Sequence, residues 1–164
     1  MSEQTIKYKH CEVFDDKLMS FHDCCADKIC LKDDVITLYF DDGFWITPEH
    51  KYNNLKYTVR TDSSKAEIYL NQDKHFQTVV YTFRKNLFGK VIRKELDFYE
   101  LMDIVNSGKF KLEFIYRYDC YHNSMFECYL TSDKRPYSIE CMIYIPLKNK
   151  VNVYWNNLRE DARW

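Results

Sequence analysis

Glycine and proline are scarce in this chain, with three of each among 164 residues. Phosphate-cradling loops need glycine, and no Gly-x-Gly-x-x-Gly turn, Gly-Lys-Ser/Thr loop or Gly-x-Ser-x-Gly elbow occurs. An NTPase or dinucleotide enzyme is not expected on that ground. The same scarcity leaves little room for flexible linkers or low-complexity tracts. No apolar run reaches the roughly eighteen residues that a membrane-spanning helix requires. Cys-x-x-Cys is also missing, which removes the usual zinc knuckle.

What is present points to β structure. Aromatic residues make up 17% of the chain, with fourteen Tyr and eleven Phe. Rings and β-branched side chains suit pleated, half-buried surfaces. Hydrophobic residues at 46% and charged residues at 30% fit neither a disordered chain nor a membrane protein. The polar start Met-Ser-Glu-Gln-Thr lacks a signal-peptide pattern, and seven cysteines are an odd number. Together these predict a cytoplasmic protein whose thiols are all free, most of them packed as small apolar residues.

The net charge of −1 is unevenly spread. Residues 1–55 hold eleven acids against six Lys, a net of −5, which leaves +4 for the remainder. Arg84, Lys85, Lys90, Arg93 and Lys94 form a basic run. Such asymmetry marks either a binding face or the solvated edges of strands.

The pattern predicts one domain over 1–164, with a lead-in over 1–19 and a polar tail over 157–164. About ten short antiparallel strands are expected, arranged as a β-sandwich or a partly open β-barrel, with one helix near 97–106. A short strand lies around Lys7–Val13. Another passes through Ile29 and Leu31 to the turn Lys32-Asp33-Asp34, followed by Val35–Phe40 and, past a bend at Asp41-Asp42-Gly43, Phe44–Ile46. Leu55–Thr61 and Ala66–Leu70 come next. Thr78–Arg84 and Lys90–Leu96 form a hairpin around Asn86-Leu87-Phe88-Gly89. Asp97 and Glu100 spell a capping box for the helix, and Ser107-Gly108 stops it.

Four further strands, Phe110–Asp119, Met125–Thr131, Ser138–Pro146 and Val151–Asn156, read as a meander. Alternation predicts Phe114 opposite Leu130, Tyr116 opposite Cys128 and Tyr118 opposite Phe126, with Arg117 against Glu127 outside. Leu130, Cys128 and Phe126 then face Ile139, Cys141 and Ile143. A last hairpin brings Ile145, Ile143 and Cys141 to Val151, Val153 and Trp155.

Candidate chemistry is sparse, and no catalytic residue is assigned. His10-Cys11 and His22-x-Cys24 supply zinc-ligand types at spacing that fits no known finger, so neither a metal nor any other cofactor is expected. A nucleophilic thiol would need a base such as His22, His50, His75 or His122 brought to it through space. Asp33-Asp34 and Asp41-Asp42-Gly43 read as turns rather than a cation loop. The hairpin Arg84–Lys94, with Tyr81, Phe83 and Phe88, has the ingredients of a single-stranded nucleic-acid platform, but acidic Glu95, Asp97 and Glu100 follow and nucleic acid is not the expected partner.

Residues 21–45 run Phe21-His22-Asp23-Cys24, a polar turn, then the alternating strand Val35–Phe40 and Asp41-Asp42-Gly43-Phe44-Trp45. This stretch resembles the opening hairpin of small bacterial β-domain proteins, some of them similar to immunity proteins that neutralise contact-dependent toxins. The resemblance carries over no functional residue. It implies a bacterial binding protein, and with the abundance of Tyr the leading expectation is a non-enzymatic protein-binding or immunity-type domain whose partner is another protein; the lack of a long apolar run predicts no membrane partner. The alternatives are a small-ligand β-barrel, or an enzyme using His22 and Asp23 with a distant thiol. His22, Asp23, Arg84, Lys85 and Arg93 are the candidate binding residues.

Overall fold

One strand organises the molecule. In the computed structural model, which describes residues 7–71, 77–119 and 123–164, Ser138–Trp155 is a single strand of 18 residues. In chain order the strands are β1 His10–Val13, β2 Met19–Ser20, β3 Cys24–Ala26, β4 Lys28–Lys32, β5 Val35–Phe40, β6 Trp45–Ile46 and β7 Val59–Thr61. They continue with β8 Ser64–Leu70, β9 Val79–Lys85, β10 Val91–Leu96, β11 Lys111–Asp119, β12 Asn123–Thr131, the long β13, and β14 Leu158–Arg163. The helix α1, Phe98–Asn106, separates β10 from β11. The protein is thus mainly β, as expected, with two antiparallel sheets and no closed barrel.

The first half of β13 runs between β12 and β9, and its second half between β8 and β1. One arm of the large sheet continues through β11 to β3, the other through β5 to β4. The small sheet has the order β14-β7-β6-β2. Local chemistry explains most boundaries. Asp33 and Asp34 both have positive φ, at 50° and 60°, which is what a two-residue hairpin turn between β4 and β5 demands. Gly43 sits at φ +70°, and a Cβ there would collide with the carbonyls of Thr61 and Asp62, so the bend into β6 needs glycine. The Asp97–Glu100 capping box forms as expected, and Leu101 and Val105 bury the inner face of α1.

Several expected pairings are corrected. The predicted hairpin between Ser138–Pro146 and Val151–Asn156 does not exist. Proline 146 ends one set of partners, not the strand: it lies opposite Asn123, while the next residue, Leu147, faces Leu70. Val151 and Val153 therefore face Ile68 and Ala66, not Ile145 and Ile143. Leu147–Lys150 contains no Gly or Pro, and the chain continues as strand, with a shift of register against β8 between Leu147 and Val151. The consecutive strands β7 and β8 belong to different sheets.

The β12–β13 register agrees with alternation at every predicted pair: Leu130 with Ile139, Cys128 with Cys141 and Phe126 with Ile143. The β11–β12 register does not. Phe114 faces Cys128 rather than Leu130, and a bulge follows before Tyr116. Beyond it Tyr116 faces Glu127 and Arg117 faces Phe126, so the predicted Arg117–Glu127 pair is absent and Arg117 bonds Asp119 instead, Nε to Oδ1 at 2.9 Å. The single extra residue turns Tyr116 and Tyr118 out to solvent.

Behind these sheets lies one contiguous core. It runs from Met19, Phe21 and Phe40 through Phe114 and Phe126 to Trp155, and it includes Cys24, Cys128 and Cys141. Six cysteines are free thiols, and Cys120 lies outside the described residues.

Candidate functional site

The bulge in β11 has a counterpart in the turn that leads into β3. Asp23 takes φ 55°, a conformation Asp tolerates better than most side chains. Its N–H donates to the carbonyl of Phe114 at 2.8 Å, while the Cys24 N–H closes the turn on Phe21 at 2.9 Å. The turn lays the His22 ring over the bulge. Nδ1 of His22 lies 2.7 Å from the carbonyl oxygen of Ile115. A carbonyl only accepts, so Nδ1 carries the hydrogen. Nε2 is then 3.5 Å from Asp23 Oδ2.

Around this histidine the rings form a ladder. Trp164 stacks on His22 with centroids 5.4 Å apart, and Tyr116 lies 5.4 Å away at a tilt. Trp45 sits 5.6 Å from Trp164 and donates its indole N–H to the His22 carbonyl at 2.8 Å. The Arg60 guanidinium caps the ladder 4.4 Å above Trp45. Trp164 is held in place by its own N–H, which donates to Thr58 at 3.1 Å. The segment expected as a polar tail is therefore strand β14 followed by a wall of the site.

A cleft of about 470 Å³ opens beside the ladder. Phe21, Phe114 and Phe126 make its buried floor, and Phe14, Tyr116 and Trp164 its walls. Arg117 lies near the Phe14 and Phe126 rings, 5.7 and 5.9 Å from their centroids, and Asp16 and Asp119 add charge of the opposite sign. A recess of about 370 Å³ next to it shares Phe14, Asp16, Arg117 and Asp119 and reaches Val13.

The thiol chemistry does not develop here. Cys24 donates to the carbonyls of Ser20 and His22, and burial pushes its pKa up to about 12, with the Arg60 charge opposing only in part. Such a sulfur stays protonated and is a poor nucleophile. His50 is engaged elsewhere: Tyr52 N–H donates to its Nδ1 at 3.2 Å, so Nε2 carries the hydrogen and donates to Glu12 Oε2 at 3.0 Å. His10 packs on Trp155 and Tyr52. Among the described residues no three His, Cys, Asp or Glu side chains gather as metal ligands. His75 and His122 lie outside the described residues.

The basic candidates sit apart from the cleft residues, on the β9–β10 hairpin. Arg84 and Lys85 are exposed near its tip, and the Arg93 guanidinium covers the Tyr81 ring at 4.8 Å. Phe83 is half-buried and only Phe88 is fully presented, so the rings do not line up as a base-stacking platform. Of the sequence candidates, His22 thus lines the cleft, and Asp23 lies in the turn beside it. Its other members, Tyr116, Arg117, Phe14 and Trp164, are not among the sequence candidates. The one signal for them was Phe114-Ile115-Tyr116, three apolar residues in a row where alternation should have continued. Comparison with protein-family models, curated proteins and solved structures returns no match to this chain.

Proposed function

We propose that this chain is a non-enzymatic binding protein, of the immunity type that residues 21–45 resemble, and that it recognises another protein through the cleft beside His22. One observation carries the reading. Tyr116 and Trp164 line the cleft while 53% and 64% exposed, with Tyr118 beside them and Arg117 on the same rim. Tyr, Trp and Arg are the side chains that anchor interfaces. Rings left in water around one opening do little for folding and are well placed to fill, or be filled by, a partner. The raised pKa of Cys24 weighs against a thiol enzyme. Free thiols in all six described cysteines suit a reducing cytoplasm as the place of action.

A second reading has its own support. A volume of about 470 Å³ is within the range of small-molecule sites, and Asp16, Arg117 and Asp119 offer the few polar groups such a site uses.

The experiment is capture from a lysate of the source cells with the wild-type chain and with Tyr116→Ala/Trp164→Ala, followed by calorimetry on the purified partner. The double variant is expected to weaken binding by about 2 kcal/mol or more, some 30-fold. Equal affinity of the two would contradict the reading. A small molecule released from the purified protein, with no protein captured, would favour the second.

A further inference from the structure

The β9–β10 hairpin presents chemistry that neither the core nor the cleft uses. Pairing of β9 with β13 stops at Phe83, so residues 84–92 project beyond that ladder and bond only with each other. At the tip Leu87 and Phe88 are 101% and 92% exposed, as open as side chains in an extended chain. Behind them Val91 and Ile92 are half exposed. Residues 84–94 hold five cations and no acid. Among the described residues none of the five takes part in an ion pair.

The register decides how this charge is arranged. Directly opposite residues share a face, so Arg84, Ile92 and Lys94 lie on one side of the hairpin, over a pocket of about 390 Å³ that they line with Ile104, Phe110, Leu130 and Ile139. Lys85, Val91 and Arg93 lie on the other. Each face carries two cations and one aliphatic side chain, and Lys90 stands beside the tip. A folded partner or a nucleic-acid strand would meet one face and leave the other's charge unused. A surface that the tip enters end-on is reached by cations from both.

We propose that the hairpin docks the protein on an anionic lipid surface. Leu87 and Phe88 enter the boundary between headgroups and acyl chains, and Arg84, Lys85 and Lys90 pair with lipid phosphates and carboxylates. At about 3.3 Å per residue these three stand within roughly 10 Å of the tip, which matches the 5–10 Å to which interfacial apolar side chains sink, while Arg93 and Lys94 stand roughly 17–20 Å behind it and add longer-range attraction. Each cation near such a surface is worth about 1 kcal/mol, so the three at the tip, with the two apolar side chains, suffice for reversible attachment. The absence of a spanning helix is no obstacle, because the contact is peripheral.

Co-sedimentation of the whole protein with vesicles tests this. Vesicles of phosphatidylcholine with phosphatidylserine should carry the protein down, while pure phosphatidylcholine should not. Leu87→Ser/Phe88→Ser and, separately, Arg84→Gln/Lys85→Gln should each weaken binding about 30-fold. All four positions are exposed, so folding is kept, as circular dichroism would verify. Tyr116→Ala/Trp164→Ala should bind vesicles like the wild type, which separates this surface from the cleft. No sedimentation with anionic vesicles at low ionic strength would overturn the proposal. So would binding that survives loss of Leu87 and Phe88, or attachment to a single-stranded oligonucleotide by a protein that ignores vesicles.

Discussion

Two adjoining ladders of the large sheet, β12 against β13 and β11 against β12, are built from the same kinds of residue and meet different ends. In the first, alternation holds over all nine paired positions, from Asn123–Pro146 to Thr131–Ser138. Its inward face, Phe126, Cys128, Leu130, Ile139, Cys141 and Ile143, is buried. In the second, alternation holds through Leu112 and Phe114 and then breaks. The extra residue leaves the Ile115 carbonyl free to accept the His22 ring and turns two tyrosines outward. A regular ladder maximises burial and leaves nothing over. The bulged one gives up a pair of ladder bonds and gains an opening lined with rings. Where the regular pattern fails is where the cleft opens.

The contrast can be broken most severely in the regular ladder. Ile143 faces both Phe126 and Val80 and is 2% exposed. Ile143→Asp buries a charge without a partner and should unfold the protein, a loss of more than about 4 kcal/mol, read as an absent thermal transition. Alkali should act on buried thiols in both regions, Cys141 in the regular ladder and Cys24 in β3 beside the bulged one. In the unfolded chain a thiol ionises near 9.0, whereas burial holds Cys24 and Cys141 protonated to about 12. The native state therefore keeps protons that the unfolded state has lost. This stabilisation is complete below pH 9 and falls away as pH rises towards 12. Urea midpoints should drop across that window, and drop less in Cys141→Ala.

Changes at the bulge should cost less stability and more binding. His22→Ala removes the bond to Ile115 and the Trp164 stack, with a loss of about 1–2 kcal/mol in denaturant unfolding. Tyr116→Ala should shift stability by less than about 0.5 kcal/mol, because its ring already stands in water. If Tyr116→Ala destabilised as much as a core truncation, the ring would belong to the core and the bulge would be misplaced.

Legibility followed the same division. The β4–β5 turn, the capping box of α1, the β9–β10 hairpin and the β12–β13 register could all be read, because each depends on near neighbours or on strict alternation. The continuity of β13 could not, since Pro146 looks alike whether it ends a strand or only an exchange of partners. The bulge was unreadable because its compensation comes from His22, some 90 residues earlier in the chain. Trp164 was equally hidden: its place on the ladder depends on β14 pairing with β7, two short strands far apart in sequence. His22 and Asp23 were candidate binding residues from the sequence, and the fold puts His22 in the cleft lining with Asp23 in the turn beside it.

The most direct measurement is nitrogen-15 NMR of the His22 ring in the intact protein, together with nuclear Overhauser contacts from that ring. A bulge at Ile115 held by His22 requires the Nδ1–H tautomer, a hydrogen bond across to the Ile115 carbonyl, and contacts to both Trp164 and Tyr116. An Nε2–H tautomer, or a His22 ring that sees neither Trp164 nor Tyr116, would contradict it.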